Sequence, residues 1–142
     1  VSEGARSKFR CEGVAEEKLI CVPNGFDPED AAQTVGTPTD GMLRIFYAGT
    51  LYAGRRDFSV VFRAISELHR EGLVEPERIR FEYAGNEWPV MRSFAEQYGL
   101  TDCCINHGFI PRSPVLELLG EADCTAVCTH NTKTDNKHSS DN

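Results

Sequence analysis

The sequence predicts an α/β fold with a parallel β-sheet that carries helices on both faces. Two observations support this prediction. Short apolar runs, typical of strands buried on both faces, alternate along the chain with segments whose apolar residues recur at helical spacing. A glycine closes three of these apolar runs. Strands and helices that alternate at this spacing form right-handed crossovers and therefore a parallel sheet.

The elements follow in a regular order after a less regular start. A short helix or connector is expected in residues 1–18, and a short strand at 19–22 is stopped by the turn residues Pro23, Asn24 and Gly25. The segment 27–41 is expected to be a surface loop. The sheet strands are predicted at 43–48, 79–84, 103–107 and 124–128, with helices over 58–68, 91–98 and 115–119. The predicted fold class is a doubly wound, Rossmann-like parallel sheet that is incomplete at its C-terminal side.

Length, composition and charge exclude several classes of protein. The chain has 142 residues, 40% hydrophobic and 26% charged, which predicts about one ordinary globular domain. Its net charge of −7 argues against a nucleic-acid-binding protein, which normally has a basic face. No apolar run reaches the ~18 residues of a membrane span. The six cysteines form no CxxC pair, so we expect reduced, mostly buried thiols, with Cys21, Cys104 and Cys124 in apolar runs.

The segment 47–57 is the first candidate for a binding site. It links the first sheet strand to a helix and contains Gly49, Gly54, Arg55 and Arg56. A helix start offers free N–H groups and a partial positive charge, and arginine can grip phosphate oxygens. These features favour an anion site. The alternative is a solvated loop whose arginines pair with Asp57 or with glutamates.

Two further segments follow later strands. Gly85 ends one strand and precedes polar residues and Trp88, a pattern that also fits a simple tight turn. His107 stands at the end of the next strand, where a structural role competes with that of a base. The sequence contains no Ser/His/Asp order, HExxH motif, Walker loop or GxGxxG motif. We therefore assign no catalytic residue and expect no metal or cofactor.

These segments, in this order, resemble the C-terminal, nucleotide-sugar-binding half of a GT-B glycosyltransferase of the retaining family 4 (glycosyl transferases group 1). The resemblance runs from about residue 2 to residue 130. Residues 20–27 (ICVPNGFD) are similar to the family's linker into its second domain. The other matching segments, in family order, are 44–51, 54–57, 83–85, 107–112 and 122–123.

The resemblance implies a site for a nucleotide diphosphate sugar, the donor of the transferred sugar. In the family a basic pair after the first glycine holds the diphosphate, but Thr50 replaces the first member here. The phosphate role therefore passes to Arg55, with Arg56 as its neighbour. The segment 108–110 matches the place where the family's backbone meets the nucleobase. The residues expected to bind substrate are Gly49, Thr50, Arg55, Arg56, Gly85, Gly108, Phe109 and Ile110.

The resemblance also implies that parts of the enzyme are missing. The family's E-x7-E segment should follow 129–135, but residues 131–142 read as a polar, disordered tail. Residues 1–26 match an interdomain connector, and 27–130 a partial nucleotide-sugar-binding domain without its acceptor domain. Such a fragment is not expected to turn over alone. The acceptor (a glycan, a lipid or a small molecule) stays open, and the expected location is cytoplasmic or peripheral at the inner membrane face.

Two alternatives belong to other functional classes. One is a non-catalytic α/β module that binds a nucleotide or another ligand, although Gly49 and Thr50 stand where a receiver module needs acidic residues. The other is a GT-B-like epimerase, which normally takes carboxylates and histidines from a second domain.

Overall fold

The structure, a computed structural model, describes residues 3–25, 27–28 and 41–128. These residues include helices α1 (Glu3–Cys11), α2 (Ser59–Arg70), α3 (Trp88–Glu96) and α4 (Arg112–Glu121). The strands are β1 (Leu43–Ala48), β2 (Ile79–Ala84), β3 (Cys104–Gly108) and β4 (Cys124–Thr125). Single turns of 3₁₀ helix at Glu16–Lys18, Pro76–Arg78 and Thr101–Cys103 complete the described elements.

The strands form one parallel sheet in the order β3-β2-β1-β4. The chain steps outward from β1 to β2 to β3 and then returns to the other side of β1. Because crossovers are right-handed, this reversal places α4 on the opposite face from α2 and α3. The reversal is what makes the sheet doubly wound. The predicted α/β, Rossmann-like fold class is therefore confirmed, as is the parallel pairing of β2 with β3.

One face of the sheet carries the apolar core. Alternate residues of β1 and β2 pack against α2 and α3, since successive strand residues point to opposite faces. Phe81 lies at the centre, with its ring centroid 5.6 Å from that of Phe58 and 5.1 Å from that of Phe62. All three side chains are fully or almost fully buried. The helical spacing in the sequence therefore marks the faces that build this core.

The predicted strand at 19–22 is wrong. This segment has no regular secondary structure, and Ile20 and Val22 are 83% and 67% exposed. The sheet of the described residues is formed by β3, β2, β1 and β4, and this segment is not one of its strands. A short apolar run becomes a strand only where a partner strand is available.

The last strand is shorter than predicted. β4 covers Cys124–Thr125 instead of 124–128, although the N–H of Ala126 still donates to the carbonyl of Phe46 at 2.8 Å. Val127 is 86% exposed beyond that point. Cys124 is also exposed rather than buried, because this edge strand has no described neighbour on its outer side. β3 is displaced by one residue, from 103–107 to Cys104–Gly108.

Other predictions fall partly or wholly outside the described residues. The polar tail 131–142 lies outside them, as does most of the expected 27–41 loop. Helix α1 agrees with the expected short helix near the N-terminus. No disulfide bond links the six cysteines, all of which are in described segments. No helix among the described residues has the length and apolar character that crossing a membrane requires.

Candidate functional site

A cleft of about 240 Å³ lies at the carboxyl ends of β1 and β2. We call it the edge cleft. The ends of β1 and β2 form two of its walls, and the chain between β3 and α4 forms the third. Its lining residues are Ala48, Gly49, Thr50, Ala84, Gly85, Asn86, Phe109, Ile110 and Val115. Five of the residues predicted to bind substrate, namely Gly49, Thr50, Gly85, Phe109 and Ile110, thus share one cavity.

The walls of the edge cleft approach closely because two of its residues are glycines. The N–H of Gly49 donates to the carbonyl of Ala84 at 2.9 Å, and the N–H of Gly85 donates to that of Gly108 at 2.8 Å. A Cβ atom on Gly85 would come within 2.5 Å of the Gly49 carbonyl oxygen. A side chain at residue 85 therefore cannot be accommodated unless the β1 and β2 ends separate.

Tyr83 supports these walls from the apolar core below. Its hydroxyl donates to the carbonyl of Gly49 at 3.1 Å and accepts from the N–H of Glu87 at 3.2 Å. The ring itself is fully buried. Burial raises the pKa of Tyr83, so the phenol remains protonated and able to donate at neutral pH.

The turn formed by residues 51–54 contains a bound anion supplied by the chain itself. The Glu87 carboxylate accepts the N–H groups of Leu51, Tyr52 and Ala53 at 2.5, 3.0 and 2.7 Å. Consecutive N–H groups that converge in this way form an anion-binding nest. These hydrogen bonds, led by that from Ala53, lower the pKa of Glu87.

Sequence reasoning missed Glu87. No periodicity or motif singles out this glutamate, and Leu51 and Glu87 are 36 positions apart. The N–H groups of Leu51, Tyr52 and Ala53 already donate to a side chain of the protein, so they are not free for an external anion. The helix start is similar: α2 begins at Ser59, and the Ser59 N–H donates to the Asp57 carboxylate at 2.8 Å.

The two predicted arginines have different environments. The Arg56 guanidinium donates to the Tyr47 hydroxyl at 3.0 Å and to the Thr50 carbonyl at 3.2 Å. It also lies over the Tyr52 ring, 4.9 Å from the centroid. The exposed Arg55 side chain makes no hydrogen bond or ion pair with any described residue. Neither arginine lines the edge cleft. Arg56 therefore stabilises the loop, whereas Arg55 has its guanidinium available.

Phe109 and Ile110 form the third wall on the chain between β3 and α4. The Phe109 side chain is 83% exposed, which is unusual for an aromatic ring beside a cavity. Gly108, the last residue of β3, does not line the edge cleft but precedes this wall. The wall therefore presents an aromatic surface to any ligand at this edge.

A charged network lies on the face of the sheet that α4 covers. Glu82 is 2% exposed and accepts from Arg44 Nε and from His107 Nε2, each at 2.7 Å. Arg44 also contacts the Glu121 carboxylate at 3.0 Å. Burial acts to raise the pKa of Glu82, but Arg44 and His107 outweigh it and lower that pKa. His107, for which the sequence weighed a structural role against that of a base, is therefore engaged with a buried carboxylate.

Two larger cavities, of about 320 and 540 Å³, lie at the opposite edge of the sheet. Both are lined by Ile79 at the amino end of β2, and the smaller of the two is also lined by Leu43 at the amino end of β1. Ligands of doubly wound sheets bind outside the carboxyl ends of the strands, so position favours the smaller edge cleft. Within the described segments, no three potential metal-ligating side chains lie together.

No model of a known protein family matches this chain, and no curated protein matches it. The function therefore has to be inferred from the residues of the site and from the fold that brings them together.

Proposed function

We propose that this chain is the donor-binding part of a retaining glycosyltransferase, which transfers a sugar from a nucleotide diphosphate sugar to an acceptor. One observation carries the proposal. The edge cleft gathers five of the eight residues that the sequence resemblance assigns to the donor. They come from three separate segments of the chain, which the fold brings to the carboxyl ends of the strands, where such sheets bind nucleotides.

The wall between β3 and α4 suits a nucleobase. The Phe109 ring is exposed beside the edge cleft and can stack on a base. The backbone N–H and carbonyl of Ile110 make no hydrogen bond with any described residue, so both are available to the edge of a base. A mostly apolar wall with a few polar groups is typical of small-molecule sites.

The diphosphate would be held at the β1 end of the edge cleft. Gly49 lets the phosphate groups approach the backbone closely, and the hydroxyl of Thr50 supplies a neutral hydrogen-bond donor to them. The Arg55 guanidinium supplies a positive charge. Glu87 already occupies the N–H groups of the 51–54 turn, so the phosphates would have to rely on Thr50 and Arg55.

The proposal is tested by titrating the 142-residue chain with UDP and with GDP, observed through backbone amide shifts in NMR spectra. We expect shifts at Gly49, Gly85 and Ile110, with a dissociation constant in the high-micromolar to millimolar range, about −4 to −6 kcal/mol. Arg55→Ala should weaken binding about tenfold, which corresponds to ~1.4 kcal/mol.

Arg70→Ala is the matched control. This exposed arginine lies in the last turn of α2, at the end of the helix that is remote from the edge cleft. Its replacement removes one positive charge, as Arg55→Ala does. We expect it to leave the affinity for either nucleotide unchanged. Amide shifts confined to the opposite edge of the sheet, or an equal loss of affinity in both variants, would contradict the proposed site.

A further inference from the structure

We propose that Glu87 is a positioning residue that holds the 51–54 turn in the conformation that presents Arg55 to the donor diphosphate. The contact between Arg55 and the diphosphate rests on the proposed function. The anchoring of the turn by Glu87 rests on geometry alone. Glu87 does not line the edge cleft. It lies instead between the end of β2 and the start of α3, and its carboxylate reaches across to the loop after β1.

The position of Glu87 is fixed from two sides. Its carbonyl accepts the N–H groups of Val90 and Met91 at 3.0 and 3.1 Å in the first turn of α3. Its own N–H donates to the hydroxyl of the buried Tyr83 at 3.2 Å. The carboxylate is therefore presented by a backbone that both the helix and the core hold in place.

The turn that Glu87 binds has a conformation that its residues do not favour. Tyr52 and Ala53 both have φ near +53°, and Gly54 follows with φ of +86°. Left-handed backbone is strained for residues with a Cβ atom, so two in succession require external support. The three hydrogen bonds from the turn to the carboxylate provide that support.

Arg55 directly follows this turn, and the turn determines its position. The Arg55 N–H donates to the Tyr52 carbonyl at 3.2 Å, and the Arg56 N–H donates to that of Leu51 at 3.0 Å. The Arg55 side chain contacts no described residue through a hydrogen bond or ion pair. The backbone of the turn therefore sets the point from which the Arg55 guanidinium reaches out.

The first test uses the protein without ligand. In Glu87→Gln the carboxylate is replaced by an amide of nearly the same shape, whose NH₂ group faces backbone donors. We expect the amide resonances of Leu51, Tyr52 and Ala53 to move upfield by several tenths of a ppm, while resonances of β1 to β3 keep their dispersion. Glu96→Gln, at the last residue of α3 and paired with Arg92 at 2.8 Å, is the control and should leave the turn unchanged. Unchanged turn amides in Glu87→Gln would overturn the inference.

The second test couples the two residues through binding of UDP. Glu87→Gln should weaken UDP binding about fivefold. The loss of affinity caused by Arg55→Ala should be at least threefold smaller in the Glu87→Gln background than in the parent chain, because Glu87 acts on binding through Arg55. Glu87→Asp retains the charge on a shorter arm and should bind UDP better than Glu87→Gln. An undiminished effect of Arg55→Ala, or equal binding by the two Glu87 variants, would overturn the positioning role. If the parent chain binds no UDP while its turn amides respond, the proposed function fails and the anchoring of the turn stands.

Discussion

The two faces of the sheet are buried by different means. The face under α2 and α3 is almost entirely aromatic and aliphatic, with Tyr47, Phe81 and Tyr83 packed at its centre. The face under α4 carries a charged network in which Glu82 joins Arg44 to His107. Apolar packing is non-directional, whereas an ionised hydrogen bond requires defined donors. The first face therefore holds most of the buried apolar side chains of the described chain, and the second links neighbouring strands through defined hydrogen bonds.

The register of the strands shows how the charged face works. Arg44 lies on β1, Glu82 on β2 and His107 on β3, so one carboxylate connects three adjacent strands. A slip of one residue would turn every side chain to the other face and bring Glu82 into the aromatic core. Three variants, one on the apolar face and two in the charged network, test this difference between the faces.

The largest effect is expected on the apolar face. Phe81→Ala removes a fully buried ring that contacts Phe58 and Phe62, and should lower the free energy of unfolding by about 3–5 kcal/mol. Urea denaturation followed by circular dichroism measures this change. Val60→Ala, which truncates a half-exposed side chain on α2, should cost less than about 1 kcal/mol. A comparable loss in both variants would mean that the core does not lie where the aromatic rings meet.

An intermediate effect is expected from Glu82. Glu82→Gln keeps the shape of the side chain but leaves Arg44 and His107 without their shared carboxylate. We expect a loss of about 1–3 kcal/mol at pH 7. Because the pKa of Glu82 is lowered on folding, its stabilisation is fully present above the ordinary carboxyl pKa of ~4.3 and is lost as pH falls through the lower folded value.

The difference between the parent chain and Glu82→Gln should therefore shrink when urea denaturation is repeated towards pH 3. The Arg44 guanidinium keeps its charge over this range, and Glu121 is the other carboxylate in the network. A difference that grows on acidification would contradict the sign of the Glu82 pKa shift.

The smallest effect is expected at the solvent end of the same network. Glu121 contacts Arg44 at 3.0 Å, but its side chain is 57% exposed. An ion pair in contact with water contributes little, so Glu121→Ala should change the free energy of unfolding by less than about 1 kcal/mol. The same urea series measures it. If Glu121→Ala lowered the free energy of unfolding as much as Glu82→Gln does, the contribution of these carboxylates would not depend on how deeply they are buried.

The sequence alone determined most of the fold. The predicted strands at 43–48 and 79–84 have the bounds that the structure gives, because buried parallel strands leave a continuous apolar run. Glycines after successive strands marked the edge at which Gly49 and Gly85 meet. These features are local in the chain, and each can be read from a short window of residues.

Only the tertiary structure decided how the site is held together. The 19–22 run is not a strand of the described sheet, and β4 stops after Thr125, although both segments have strand-like composition. The capture of the 51–54 turn by Glu87 joins residues more than thirty positions apart, and it stabilises a backbone that Tyr52 and Ala53 locally disfavour. Such a contact leaves no periodicity in the sequence, since it depends on two loops that the pairing of β1 with β2 brings together.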